Sequence, residues 1–313
     1  MKYFILFLLA AGVLLAGYFL IPWPVDPYAV SDFTPIHASR SLTEADDERP
    51  LNSTITTAVS TDGMAFEPTD VWIADQAHTP DVVQDARGRL FLYYSGWIVG
   101  NELNRSAVAV SQDAGETWVY KYLTLTGSDA YSSPQSPDIV LLDDGTFRLY
   151  YTAHASDFVE GIHYAESQDG LNFTHAGVVF LPTGYTAENS TTFKIGDAWH
   201  MYALSKEGPQ AVWHLTSDDG VTFSVYARTS FPMDDEVVVP GNGLMLDEKF
   251  HLFVSAPESG EIRSWSTKNG YDWYPDNGVR LSPERGHAFV KDPTLVELED
   301  GRRLMFYVTD TTD

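Results

Sequence analysis

The sequence contains no cysteine, so it can form no disulfide, thiolate metal site or cysteine nucleophile. Positive charge is nearly as scarce: Lys and Arg number 19 against 44 Asp and Glu, for a formal charge of -25. A surface that acidic repels nucleic acid, and no basic stripe offsets it, so nucleic acid is excluded as a partner. No Gly-rich phosphate loop and no nucleophilic-serine motif stands out. After residue 21 there is no long apolar run and no segment of helical period.

What is present is a core-forming composition, 44% hydrophobic and 13% aromatic, which argues against disorder. The one apolar run stands at the start. Lys2 precedes an uncharged stretch from Tyr3 to Ile21, closed by Pro22, Trp23 and Pro24. As a helix it would be about 28 Å long, close to a hydrocarbon core, and Trp23 suits the interface. Ala16-Gly17-Tyr18 makes a poor cleavage site, and Leu15-Ala16-Gly17 lacks a lipobox cysteine, so residues 1–23 read as an uncleaved transmembrane anchor in preference to a cleaved signal, and either would export the domain. Residues 24–53, rich in Pro, Asp, Ser and Thr, read as a linker to a domain over 54–313 on the extracytoplasmic side of the membrane.

That domain repeats itself. Ser60-Thr61-Asp62-Gly63 recurs as Ser111-Gln112-Asp113-Ala114-Gly115, Ser167-Gln168-Asp169-Gly170 and Ser217-Asp218-Asp219-Gly220, and more loosely as Thr267-Lys268-Asn269-Gly270. An aromatic follows each glycine within three residues: Phe66, Trp118, Phe173, Phe223, Trp273. Asp/Asn-Gly between strand-like runs is a hairpin turn, in which glycine takes positive φ and the Asp bonds nearby N–H groups. This Asp-box-like motif has a structural job. A second repeat interleaves with it: an apolar strand, a tight turn and an aromatic strand, as in Pro80-Asp81-Val82-Val83 to Leu90-Phe91-Leu92-Tyr93-Tyr94. Pro137-Asp138 to Tyr150-Tyr151 and Asp292-Pro293 to Phe306-Tyr307 repeat that pattern.

Together the repeats describe four-stranded meanders of about fifty residues, the size of a propeller blade. The chain opens with the second half of a blade, near residues 54–72, and ends with the first half, near 291–308. The spacing predicts an all-β, five-bladed β-propeller closed by strands from both termini, a monomer, preceded by one transmembrane helix.

In such a ring the first strand of each blade lines the channel, and the residues entering it converge on one mouth, opposite the Asp boxes. Asp81, Asp138, Glu188 and Asp292 then fall at equivalent or nearly equivalent places in four blades. Two carboxylates about 5 Å apart repel by roughly 3 kcal/mol at an effective dielectric near 20, enough to keep one protonated while the other is ionised. Glycoside hydrolysis needs that division. The competing reading is that each carboxylate holds backbone N–H groups in a non-catalytic propeller that binds glycan or a protein.

The arrangement resembles the five-bladed glycoside hydrolases of families 43 and 32, the arabinanase, xylosidase and fructosidase type. The resemblance implies a base at Asp81 (His78-Thr79-Pro80-Asp81), a pKa-tuning Asp138 (Ser136-Pro137-Asp138-Ile139) and an acid at Glu188 (Ala187-Glu188-Asn189-Ser190). Two departures stand out: Asp81 follows a proline where the family has Asp before proline, and Asn-Ser follows Glu188 where Gly-Pro or Ala-Pro is usual. It also implies a carbohydrate substrate and no cofactor beyond a central structural cation such as calcium. Trp97, Phe158, Tyr131 and Tyr185 are aromatic candidates for stacking on sugar, and His287 and Asp292 complete the expected binding set. The boxes are also similar to those of sialidases, but those have six blades and an arginine triad, and here no arginine begins a channel strand.

Overall fold

Alternating apolar and polar residues fold into strands that bury one face against the next sheet. The computed structural model describes residues 26–35, 52–100, 102–127, 134–154, 160–205, 211–229, 232–233 and 236–310, and all regular structure in them is β. The apolar run at the N-terminus lies outside these residues; among the described ones no helix is long and apolar enough to cross a membrane.

The chain begins its ring with β1 (Ser53–Ser60) and β2 (Glu67–Asp75). The first complete blade follows as β3 (Ala77–Gln84), β4 (Leu90–Val99), β5 (Glu102–Ser111) and β6 (Val119–Tyr122). Next come β7 (Thr124–Thr126) and the second blade, β8 (Gln135–Leu141), β9 (Phe147–His154), β10 (Glu160–Ser167) and β11 (Asn172–Phe180). The third is β12 (Glu188–Ile195), β13 (Ala198–Ser205), β14 (Ala211–Ser217) and β15 (Ser224–Thr229). A two-residue ribbon, β16 (Pro232–Met233) and β17 (Glu236–Val237), leads to the fourth: β18 (Val239–Leu246), β19 (Lys249–Ala256), β20 (Glu261–Thr267) and β21 (Tyr274–Pro275). Finally β22 (Val290–Glu297) and β23 (Arg303–Asp310) pair with the opening strands in the order β2-β1-β23-β22. The fifth blade is thus shared by both ends of the described domain, as the half-blades in the sequence required. One difference from uniform four-stranded blades is β7, which adds to the second blade in parallel with β11.

The Asp boxes work by local hydrogen bonding. In the second blade Asp169 Oδ1 accepts Ser167 Oγ at 2.9 Å and the N–H groups of Leu171 and Asn172 at 2.9 and 2.8 Å, while Gly170 N–H donates to Ser167 Oγ at 3.0 Å. The same set forms around Asp62, Asp219 and Asn269. Three of the boxes are also fastening points for the preceding blade: Tyr93 Oη donates to Gly170 O at 2.8 Å, Tyr150 Oη to Gly220 O, and Tyr202 Oη to Gly270 O at 3.1 Å. Gly170 has φ of 70°, and a Cβ there would come within 2.9 Å of Tyr93 Oη, so the close approach needs glycine.

Ten residues of the stretch read as a linker, 26–35, are docked on the propeller as a strap. Asp32 N–H donates to Tyr120 O at 2.8 Å and Tyr120 N–H to Ser31 Oγ at 3.1 Å, along the outer edge of β6. Asp32 also accepts from Tyr122 N–H at 3.1 Å and pairs with Lys121 at 2.5 Å. Tyr28 is buried against Phe91 with Arg89 over its ring, and its hydroxyl donates to Asp169 O at 2.6 Å. Phe33 is buried with Tyr120 and Tyr122. Covering this edge removes an unpaired strand from solvent. A chain beginning at Asp26 should match the longer protein in urea unfolding, whereas one beginning at Ile36 should lose about 3–5 kcal/mol, the burial of two aromatic side chains. Equal midpoints for the two truncations would show that the strap contributes nothing.

Candidate functional site

The five inner strands β3, β8, β12, β18 and β22 ring the channel, and each carries a β-bulge near its entrance. Residues 79–80 oppose Tyr94 between the pairs His78↔Ser95 and Asp81↔Tyr93, and 136–137, 189–190, 241–242 and 292–293 are bulged in the same way. The first bulge residue is left-handed at Thr79 (φ 47°), Ser136 (49°), Asn189 (48°) and Asp292 (51°). Such non-glycine positions cost on the order of 1–3 kcal/mol each and persist where surroundings hold them. Proline fills the second place at 80, 137 and 293, where an extra residue breaks the ladder and a missing N–H matters least.

The bulges are locked between blades. Ser136 N–H donates to Ser95 Oγ at 3.0 Å, Asn189 N–H to Thr152 Oγ1 at 3.1 Å, and Asp292 N–H to Ser255 Oγ at 2.8 Å, each hydroxyl belonging to the preceding blade. The residue after the bulge then reaches the next inner strand. Asp81 Oδ2 accepts Ile139 N–H at 2.6 Å, and Asp138 Oδ1 accepts Thr192 N–H at 3.0 Å while its Oδ2 accepts Thr192 Oγ1 at 2.7 Å. Thr294 Oγ1 accepts Val82 N–H at 3.1 Å and donates to Asp81 Oδ1 at 2.8 Å. Asp81 Oδ1 also accepts Asn242 Nδ2 at 2.7 Å, from the far side of the ring, and Val82 N–H at 3.0 Å.

These registers divide the four carboxylates, expected at equivalent or nearly equivalent places, among three levels. Asp81 and Asp138 are equivalent to each other and to Thr191, Gly243 and Thr294, just below the bulges. Asp292 belongs one level higher, with Thr79, Ser136, Asn189 and Gly241. Glu188 is higher again, in register with His78, Gln135, Pro240 and Lys291. Each bulge inserts one residue, which sequence spacing alone does not reveal.

At the mouth lies a cavity of about 50 Å³ walled by Thr79, Pro80, Asp81, Ser136, Asn189, Ser190, Thr191, Asn242 and Asp292. It has room for one or two waters, each needing about 30 Å³. Asp81 is 6% exposed and Asp138 3%. Burial, with the Asp138 charge beside it, raises the Asp81 carboxyl to about 7 against the opposing bonds from Ile139, Thr294 and Asn242. Burial raises Asp138 to about 6, partly offset by Thr192. Ser190 Oγ, buried close to Asp138, lies outside hydrogen-bonding geometry. Burial lowers the His78 imidazole, and the Asp292 charge pulls it back upward.

Of the expected site residues, Asp81 and Asp292 wall the cavity and Asp138 adjoins Asp81. Glu188, half-buried, is the first residue of β12 and pairs with Leu204, away from the cavity wall. Trp97 is half-buried, its N–H bonded to Gln76 O at 2.8 Å. Tyr185 is 42% exposed and packs on Trp213, with Arg228 4.5 Å above its ring. His287 is held on the rim by Asp310 O at 2.8 Å and Thr309 Oγ1 at 3.1 Å. Tyr131 and Phe158 lie outside the described residues. Sequence reasoning missed Thr294 and Thr192. Aligning Asp292-Pro293-Thr294 with Thr79-Pro80-Asp81 and Ser136-Pro137-Asp138 would have found the first. A resident calcium takes about six to eight oxygens, several of them carboxylate. Among the described residues no three His, Asp or Glu come together to hold a metal.

No protein-family model matches the sequence, and no curated protein matches it. Solved structures do share the fold. A thermostable family-43 glycoside hydrolase superposes with a TM-score of 0.60 at 15% identity, covering 76% of this chain and 89% of its own. A family 117 glycoside hydrolase of the marine bacterium Zobellia galactanivorans gives 0.53 at 12% identity, over 85% and 92% of the two chains. An α-L-arabinofuranosidase of Clostridium thermocellum gives 0.52 at 17% identity, over 71% and 79%. At these identities the likeness is one of fold, the five-bladed propeller.

The raised carboxyls make a signed prediction. Asp81 and Asp138 are easier to ionise in the unfolded chain, so their contribution to stability is full below about pH 4 and is lost as pH rises through 6 and 7. Buried His163 and His200, lowered to about 4, act oppositely, costing stability as pH falls from about 6.5. The test is therefore a difference. Asp138→Asn keeps the Thr192 contacts by reversing the hydroxyl, and its stability relative to the parent should climb between pH 5 and 8 in urea titrations. A pH-independent difference would mean that Asp138 is ionised in the fold as easily as in water.

Proposed function

We propose that this protein is a glycoside-hydrolase-like propeller acting on glycosidic bonds at the bulged mouth of its channel. The observation that carries the reading is the pair Asp81 and Asp138: equivalent residues of consecutive inner strands, buried beside a water-sized cavity and pushed to about 7 and 6. Carboxyls in that range can exchange protons near neutrality, as general acid–base catalysis requires. The shared fold with solved family-43 and family-117 hydrolases supports the same reading.

In this account a sugar ring docks at the mouth, above the bulges. Asp81 draws the proton from a water held in the cavity, with Asn242 and Thr294 fixing its carboxylate. Asp138 tunes Asp81 through its charge. Glu188, on the rim one blade further, donates to the leaving oxygen, and Tyr185 and Trp97, the described aromatics of the expected set, serve as faces for the polymer. The substrate is a polysaccharide or oligosaccharide, and the domain works outside the cytoplasm.

A second reading has its own observation. Both oxygens of Asp81 and of Asp138 already accept hydrogen bonds that tie neighbouring strands, which is what a purely structural carboxylate would do in a glycan-binding propeller. The two readings part at Glu188, which only the first requires to donate a proton. Glu188→Gln should slow substrates with poor leaving groups by about 10²–10⁴-fold, the usual worth of general acid catalysis, and spare activated aryl glycosides. Intact turnover of poor-leaving-group substrates by this variant would remove Glu188 from the mechanism. Absence of turnover by the parent across aryl glycosides and polysaccharides, with glycan binding retained, would favour the second reading.

A further inference from the structure

The strap fixes where the chain enters the domain. Asp26 lies at the Asp-box end of the first blade, where Gln112 Nε2 donates to its Oδ2 at 3.2 Å, and Tyr28 is bonded to the second blade's box through Asp169 O. From there the strap climbs β6 to Phe33, which packs on Tyr122 beside Gly100 at the mouth end. Its direction is therefore set: the N-terminal end is on the box face. Only Pro24 and Val25 separate Asp26 from Trp23, the interfacial residue that closes the apolar run. Three chain steps span at most about 11 Å.

We propose that the strap is a rigid mount that holds the Asp-box face of the first two blades against the lipid headgroups and points the channel mouth away from the membrane. The inference rests on reading the apolar run as an anchor and is independent of the hydrolase reading. The occupant of this face is the bilayer surface, because no other partner can be kept within that distance by so short a connection. The face is held near the headgroups and does not enter them. Although burial works against it, the box hydrogen bonds keep Asp113 and Asp169 below the ordinary carboxylate range, and such charges stay in water. A mouth directed outward meets soluble polymers rather than the headgroup sugars of the anchoring membrane.

The absence of cysteine makes the test direct, since a single introduced thiol is unique. Exposed Arg87 and Glu116 lie on the box face of the first blade, and exposed Thr183 lies on the mouth side. Arg87→Cys, Glu116→Cys and Thr183→Cys, each in the full chain, would carry a fluorophore in phosphatidylcholine vesicles containing a headgroup nitroxide lipid. Quenching should be at least threefold greater at 87 and 116 than at 183. Replacing both Tyr28 and Phe33 by Ala should erase that difference while the protein still sediments with the vesicles. Equal quenching on the two faces, or a difference that survives loss of both aromatic side chains, would overturn the mount. Protein left in the supernatant would overturn the anchor beneath it, without touching glycoside turnover.

Discussion

The structure depends on one contact made three times around the channel: a side chain just below an inner bulge accepts an N–H from the next inner strand. Parallel neighbours around a channel share no ladder, so without such a tie their backbone N–H groups would face a narrow polar hole unpaired. Asp81 serves Ile139, Asp138 serves Thr192, and Thr294 serves Val82. An unsatisfied buried donor costs about 1–3 kcal/mol, so three such contacts are a large share of a domain's net stability. Using carboxylates for two of them places two acids a strand apart in a buried ring, and their raised pKa values follow from that placement.

The ties also organise the site. They draw β22, β3, β8 and β12 into fixed lateral register, and the hydroxyl locks from Ser95 and Thr152 set the left-handed residues above them. At Gly243 the equivalent position has no side chain, and Asn242 instead crosses the ring to Asp81. The cavity therefore owes its shape to strained bulges and its polarity to the atoms that hold them. Stability and any chemistry at Asp81 cannot be separated by deletion, since the oxygens that hold the neighbouring strands also border the cavity.

Much of this was legible in the sequence. Asp boxes read clearly because their bonds run between residues two to four apart, and the half-blades at either end announced how the ring closes. The inner face was legible only in outline. Asp81 and Asp138 each follow a proline in a recognisable run, whereas Glu188 is singled out by its likeness to a family motif and Asp292 by its near-equivalent place in the fifth blade, neither of which gives its level. One inserted residue changes the face a side chain presents, and a bulge leaves no unmistakable mark in composition. The strap was invisible for another reason. Its partners Arg89, Gln112, Tyr120 and Asp169 lie far along the chain, and ten residues that include two prolines, two aspartates, a serine and a threonine resemble a linker until Tyr28 and Phe33 are seen buried.

The central claim is that Asp81 and Asp138 are electrostatically coupled acids in one buried ring. Carbon-13 NMR titration of labelled aspartate side chains measures this directly. Asp81 should titrate near 7 in the parent protein and distinctly lower in Asp138→Asn, because burial remains while the neighbouring charge is gone. An Asp81 that titrates near 4, or one whose midpoint does not move when Asp138 is neutralised, would contradict the account.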